Sequence, residues 1–134
     1  MRYLLDTAPW INAVTMPRVI PERVLGLLAG DKPTGLCSVS LLEKAHLHRL
    51  GRFRLQGTLG QFFAVAIADN LRLLGLTPSV AAKTNNLSAG FQRDPFDRTI
   101  VATAAVLKLT LITADAATRD ADQCAVEYCP FRTR

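Results

Sequence analysis

The feature that most constrains this chain is its alternation of short apolar runs with longer, periodic stretches that can form helices. That alternation is the pattern of a layered α/β domain. Residues 3–5 (Tyr-Leu-Leu) read as a short buried strand ended by Asp6-Thr7. Helices are expected over 9–14 and 21–29, the second opened by Pro21 and followed by Gly30. A strand over 35–39 leads into a helix over 40–50 that stops at Gly51. A helix over 59–70, a strand over 71–76 and a helix over 78–87 follow. Asp94-Pro95 opens a helix carrying Ile100, Val101, Ala104 and Leu107, and strands over 109–113 and 125–128 end the chain. The order is βαα-βα-α-β-αα-β-β. Its crossovers are long enough for a parallel sheet, and open parallel sheets hold their sites at the carboxyl ends of strands. Asp6 and Asp115 sit immediately after strands.

The chain has 134 residues, which suits one domain over 1–134 with a single core. Apolar residues make up 49% and charged ones 20%, which excludes a disordered chain. The longest wholly apolar run, residues 62–68, is far too short to span a membrane, and Asp6 arrives too early for a secretory leader. Cys37, Cys124 and Cys129 form no C-x-x-C pair and leave one over in any pairing, so a reduced, cytoplasmic protein is expected. The net charge is +5, and only Lys32, Lys44, Lys83 and Lys108 are lysines, so arginine dominates the cations. Arginine's planar fork suits phosphates and bases, which points to a nucleic-acid partner.

Four acids lie where chain reversals would converge: Asp6, Glu43, Asp97 and Asp115. Each also has a structural reading. Ser40-Leu41-Leu42-Glu43 is a capping-box pattern with Glu43 in the first turn. Asp94 is a natural N-cap before Pro95, Asp97 favours the helix dipole, and Asp6 and Asp115 can each cap a following helix. Taken together, two carboxylates at strand ends and two at helix starts repel one another unless a cation joins them. Hard cations, Mg²⁺ or Mn²⁺, prefer such oxygen ligands. An acidic pocket in a cationic protein is the layout expected of a metal-dependent nuclease.

The segments Tyr3-Leu4-Leu5-Asp6-Thr7, Ser38-Val39-Ser40-Leu41-Leu42-Glu43, Arg93-Asp94-Pro95-Phe96-Asp97-Arg98 and Leu111-Ile112-Thr113-Ala114-Asp115 occur in the order and at about the spacing of PIN-domain proteins. The chain resembles in particular the VapC-type toxins of bacterial toxin–antitoxin modules, from Met1 to about Tyr128. The resemblance implies a three-layer α/β/α domain with a central, mainly parallel sheet. It implies a Mg²⁺- or Mn²⁺-dependent endoribonuclease, with tRNA and rRNA among the open substrates. Asp6, Asp97 and Asp115 would bind the metal, Glu43 would bind it through water or orient the attacking water, and Thr7 and Thr113 would line the site. It also implies a homodimer and a small antitoxin that covers a groove and approaches the acids. Ala8, Gln92 and Leu42 stand where many relatives have His, His and Trp, and none of these changes removes a carboxylate.

Lys44, Arg49, Arg52 and Arg54 follow Glu43 closely and suit a track for RNA, as does Arg98 beside Asp97; a solvated helix face is the plainer reading. His46 and His48 are two apart and face different directions on a helix, so they cannot chelate one metal there. Trp10, Ile11, Val14, Val24, Leu25 and Leu28 read as core, with a groove for a partner helix as the alternative. The expected reaction is in-line attack of a metal-activated water, leaving a 5′-phosphate and a 3′-hydroxyl. The competing class is a catalytically idle module that binds RNA or a protein partner.

Overall fold

The computed structural model describes residues 1–67, 69–91 and 94–133. Among these residues, five strands form one sheet: β1 (Tyr3–Leu5), β2 (Thr34–Cys37), β3 (Leu71–Leu74), β4 (Thr110–Thr113) and β5 (Val126–Tyr128). Their order is β3-β2-β1-β4-β5, and every neighbouring pair is parallel. Parallel pairing requires long crossovers, and these are α1 (Thr7–Thr15), α2 (Glu22–Leu28), α3 (Ser38–Arg49), α4 (Leu59–Ala66), α5 (Pro78–Asn86), α6 (Pro95–Leu107) and α7 (Ala116–Ala121).

The two-residue period of the strands sorts the core into two layers. Leu4 and Leu111 face α5 and α6, packing with Val80, Ile100, Val101 and Ala104. Leu5, Leu36 and Ile112 face the other way, onto Trp10 of α1, Val24 of α2 and Ala66 of α4. Sheet residues buried on both faces read as continuous apolar runs rather than as alternation, which is why β1 and β4 are visible in so few residues. The result is a three-layer α/β/α sandwich.

Several boundaries differ from the sequence reading; α1 starts two residues earlier, at Thr7, and β3 ends two residues earlier, at Leu74. The expected strand over 35–39 ends at Cys37, and α3 starts at Ser38, so Glu43 lies in its second turn and the capping box does not form. Ser40 is fully buried, and its hydroxyl pairs instead with that of Thr7 at 2.8 Å. The helix expected over 59–70 ends at Ala66, because the Ala66 carbonyl accepts the indole N–H of Trp10 at 2.9 Å. Asn70 is then used to enter the sheet, its carbonyl accepting the Thr34 N–H and its side-chain amide donating to Leu28. Residue 68 lies outside the described residues. Helix α7 was not expected. It supplies the crossover that allows β5 to run parallel to β4.

After β3 the chain crosses back over β2 and β1 to add β4 on the far side. The β1/β4 boundary is therefore the topological switch point, where helices depart to opposite faces and leave a crevice at the strands' carboxyl ends.

Candidate metal centre at the switch point

Asp6 follows β1 at this boundary, and its own N–H continues the ladder to the Ile112 carbonyl at 3.0 Å. It is the N-cap of α1: Oδ1 accepts the Thr7 N–H at 2.8 Å. Its Oδ2 accepts the Thr113 hydroxyl, also at 2.8 Å. The same Thr113 oxygen accepts the Asp115 N–H at 3.1 Å. Thr113, fully buried at the end of β4, thus ties the two strand-end acids together. Asp115 caps α7, accepting the Ala117 N–H at 3.1 Å and the Thr118 hydroxyl at 2.8 Å.

The third acid arrives on α3, which packs against α6 and is joined to α1 through Ser40 and Thr7. The His46 ring, 6.5 Å from that of Phe96, braces α3 against the first turn of α6. Glu43 is partly exposed, yet its Oε1 is buried and has no hydrogen-bond partner among the described residues. The fourth acid is Asp97, in the first turn of α6. One further carboxylate was read from the sequence only as a cap. Asp94 caps α6 through Oδ1, which accepts the Phe96 N–H at 2.9 Å. Carboxylate oxygens of Glu43, Asp94 and Asp97 all lie within 4.8 Å of one another. The D-P-F-D spacing held this signal, since residues three apart share a helix face. Arg93, the first residue of that motif, and Gln92 before it lie outside the described residues.

The fields of these groups overlap. Burial pushes the Asp97 carboxyl up to about 7, and the negative charges of Asp94, Asp6, Glu43 and Asp115 add to that push. Burial also raises Glu43, with Asp94 and Asp6 reinforcing it and the Thr7 hydroxyl and Lys44 opposing it. Asp6 is raised by burial, against which the Thr113 hydroxyl and the Thr7 N–H work. An all-oxygen donor set of mutually repelling carboxylates, with one buried oxygen unsatisfied, fits a hard divalent cation and not a soft one.

The basic residues are spread more widely. Lys44 lies over the Phe53 ring, its ammonium 4.8 Å from the centroid, and burial lowers its pKa. Arg49 donates to His46 Nδ1 at 3.1 Å, and Arg52 and Arg54 are exposed. Arg98 turns away toward α5, donating to the carbonyls of Thr84, Leu87, Ser88 and Phe91.

A family model described as the PIN domain matches residues 3–123. The chain belongs to the PIN domain family. A search of curated proteins found no match. Among solved structures, this PIN domain is similar to DNA-bound VapBC from Salmonella typhimurium, at TM-score 0.73 and 18% identity, covering 96% of this chain and 98% of that one. It is similar to VapBC2 from Rickettsia felis bound to a promoter DNA fragment, at TM-score 0.72 and 17% identity over 96% and 99%. FitAcB from Neisseria gonorrhoeae is 25% identical, with TM-score 0.66 over 96% and 97%. At such identities the first two likenesses speak for the fold, a PIN-like α/β/α sandwich. No helix among the described residues is long and apolar enough to cross a membrane.

Proposed function

We propose that this PIN domain is a divalent-metal-dependent endoribonuclease, the toxin of a type II toxin–antitoxin pair. The observation that carries this reading is the convergence of Glu43, Asp94 and Asp97 carboxylate oxygens within 4.8 Å, in a site where Glu43 also holds a buried Oε1 with no hydrogen-bond partner among the described residues. Asp6, Asp97 and Asp115 would hold Mg²⁺ or Mn²⁺, with Glu43 bound directly or through water. Such a cation lowers the pKa of a bound water and neutralises charge on a phosphoryl group.

The chain's own residues supply the rest. Thr113 fixes the rotamer of Asp6 and, through the Asp115 N–H, the start of the loop that carries Asp115. The cap bonds hold Asp6 and Asp115 in place before substrate arrives. Ser40 and Thr7 fix the approach of α3 and hence of Glu43. Lys44, Arg49, Arg52 and Arg54, on or just after α3, would draw the RNA backbone toward the acids. Arg98, engaged by α5, braces the helix that carries Asp97.

The VapBC and FitAcB neighbours and the motif resemblance support an antitoxin partner; the homodimer rests on the motif resemblance alone, and the cytoplasmic setting on the unpaired cysteines. An open apolar cavity of about 170 Å³, lined by Leu5, Trp10, Ala13, Val14, Leu28 and Leu71 among others, has room for one apolar side chain projected by a partner helix.

The test is cleavage of a labelled small-RNA pool by antitoxin-free protein with EDTA, Mg²⁺ or Mn²⁺, beside Asp97→Asn. Discrete metal-dependent fragments with 5′-phosphate ends, lost in the variant, are expected. Salt-sensitive RNA binding without cutting would favour the idle binding module instead, and 2′,3′-cyclic phosphate ends would refute the hydrolytic chemistry.

A further inference from the structure

We infer that Asp94, besides capping α6, is an additional ligand of the divalent cation, donating an oxygen on the Glu43–Asp97 side of the site. This rests on the metal-dependent reading above and adds to it a carboxylate outside the Asp6, Glu43, Asp97, Asp115 quartet. Capping uses only Oδ1, which accepts the Phe96 N–H, so Oδ2 is left for another partner. Asp94 and Asp97 stand three residues apart across the first turn of α6, and with Glu43 they bring three carboxylate oxygens within 4.8 Å.

The cap alone does not account for this placement, because Asn or Ser caps a helix about as well without adding charge. Here the exposed Asp94 adds a third negative group to Glu43 and Asp97, and Glu43 already holds a buried Oε1 with no hydrogen-bond partner among the described residues. The ion pairs among the described residues, Arg23–Glu127 and Arg119–Asp120, involve none of the three. At that separation the three carboxylates repel one another. A divalent cation turns that repulsion into shared coordination, and affinity in such sites rises with the number of charged ligands.

The experiment is a Mn²⁺ titration, followed by calorimetry and by the Mn²⁺ electron paramagnetic resonance signal, on the full chain and three variants. Asp94→Asn and Asp94→Ser both keep a good cap and remove the charge. Asp31→Asn removes an acid from the opposite end of the sheet, near Arg2 and Lys32. Asp94→Asn and Asp94→Ser are expected to weaken Mn²⁺ binding about tenfold or more, the scale seen when groups around a metal site are lost. Their metal-free melting temperatures should not fall, and Asp31→Asn should bind like the wild type. Wild-type affinity in both Asp94 variants would overturn the inference and leave the metal-dependent reading standing. No Mn²⁺ binding by the wild type would overturn both. Weaker binding that comes with a lower metal-free melting temperature in both Asp94 variants would assign the effect to the helix cap, again overturning the inference.

Discussion

Holding Asp97 among four other acids costs the metal-free protein stability, and Asp97→Asn should return part of it. The carboxyl is pushed from its usual 3.8 to about 7, mainly by burial. Between those two values the folded state binds the proton more tightly than the unfolded chain, so stability falls as pH rises across that window. The whole interval corresponds to about 4 kcal/mol at 1.36 kcal/mol per decade. Water still reaches this half-buried group and screens it, which reduces the expected gain on removing the charge to about 1–2 kcal/mol. For a chain of this size that raises the melting temperature by about 3–8 °C. The assay is thermal unfolding in EDTA at pH 7.5 and at pH 4, following circular dichroism. The variant should melt higher at pH 7.5 and close to the wild type at pH 4, where Asp97 is already neutral. Saturating Mn²⁺ should close or reverse the gap by stabilising the wild type alone. A variant no more stable than the wild type at pH 7.5, or equally stabilised at both pH values, would refute the reasoning.

Further perturbations test other parts of the structure. Thr113→Val removes the hydroxyl that holds the Asp6 carboxyl down, so Mn²⁺ affinity should drop more at pH 6 than at pH 8 as protons compete; an equal loss at both would refute that role. Trp10→Phe strands the Ala66 carbonyl and should cost about 1–3 kcal/mol in urea unfolding; a neutral result would mean that Ala66 finds another donor. Arg98→Ala should destabilise by about 2 kcal/mol and speed amide exchange over α5, whose C-terminal carbonyls it gathers; exchange unchanged in α5 would rule this out. Replacing Arg52 and Arg54 together by Ala should flatten the slope of log binding constant against log salt by about 1.4 on single-stranded RNA, and an unaltered slope would remove both from the RNA path.

The strands were legible because burial on both faces leaves dense runs such as Tyr3-Leu4-Leu5 and Leu111-Ile112, and the acids because they follow those runs. The sandwich and the place of Asp6 and Asp115 followed from the same two facts. Helix α7 was not legible, since Ala-Ala-Thr-Arg-Asp-Ala has almost no apolar period and is held by the Asp115 cap and the Thr118 hydroxyl. The start of α3 was misplaced because Ser-Leu-Leu-Glu has the spacing of a capping box, while the Ser40 hydroxyl is engaged by Thr7, thirty-three residues away. The end of α4 was set by the Trp10 indole, again a long-range contact that no local window contains. Asp94 was visible as a cap and hidden as a neighbour of Glu43, because that proximity depends on α3 packing against α6.

The place of β1 has a consequence for the chain during synthesis. β1 is made before the other four strands of this sheet and ends at its centre, with β2 on one side and β4 on the other. Its second neighbour begins at Thr110, and Thr113 meets Asp6 across 107 positions. Contacts of such separation form late, after loop-closure entropy has been overcome. While the polypeptide emerges from the ribosome, Asp6 and Glu43 are exposed for most of translation without Asp97 or Asp115. The acidic centre is therefore complete only once β4 and Asp115 have been released, and a product stopped before Thr110 carries Asp6, Glu43 and Asp97 but lacks both Asp115 and the Thr113 hydroxyl that ties it to Asp6.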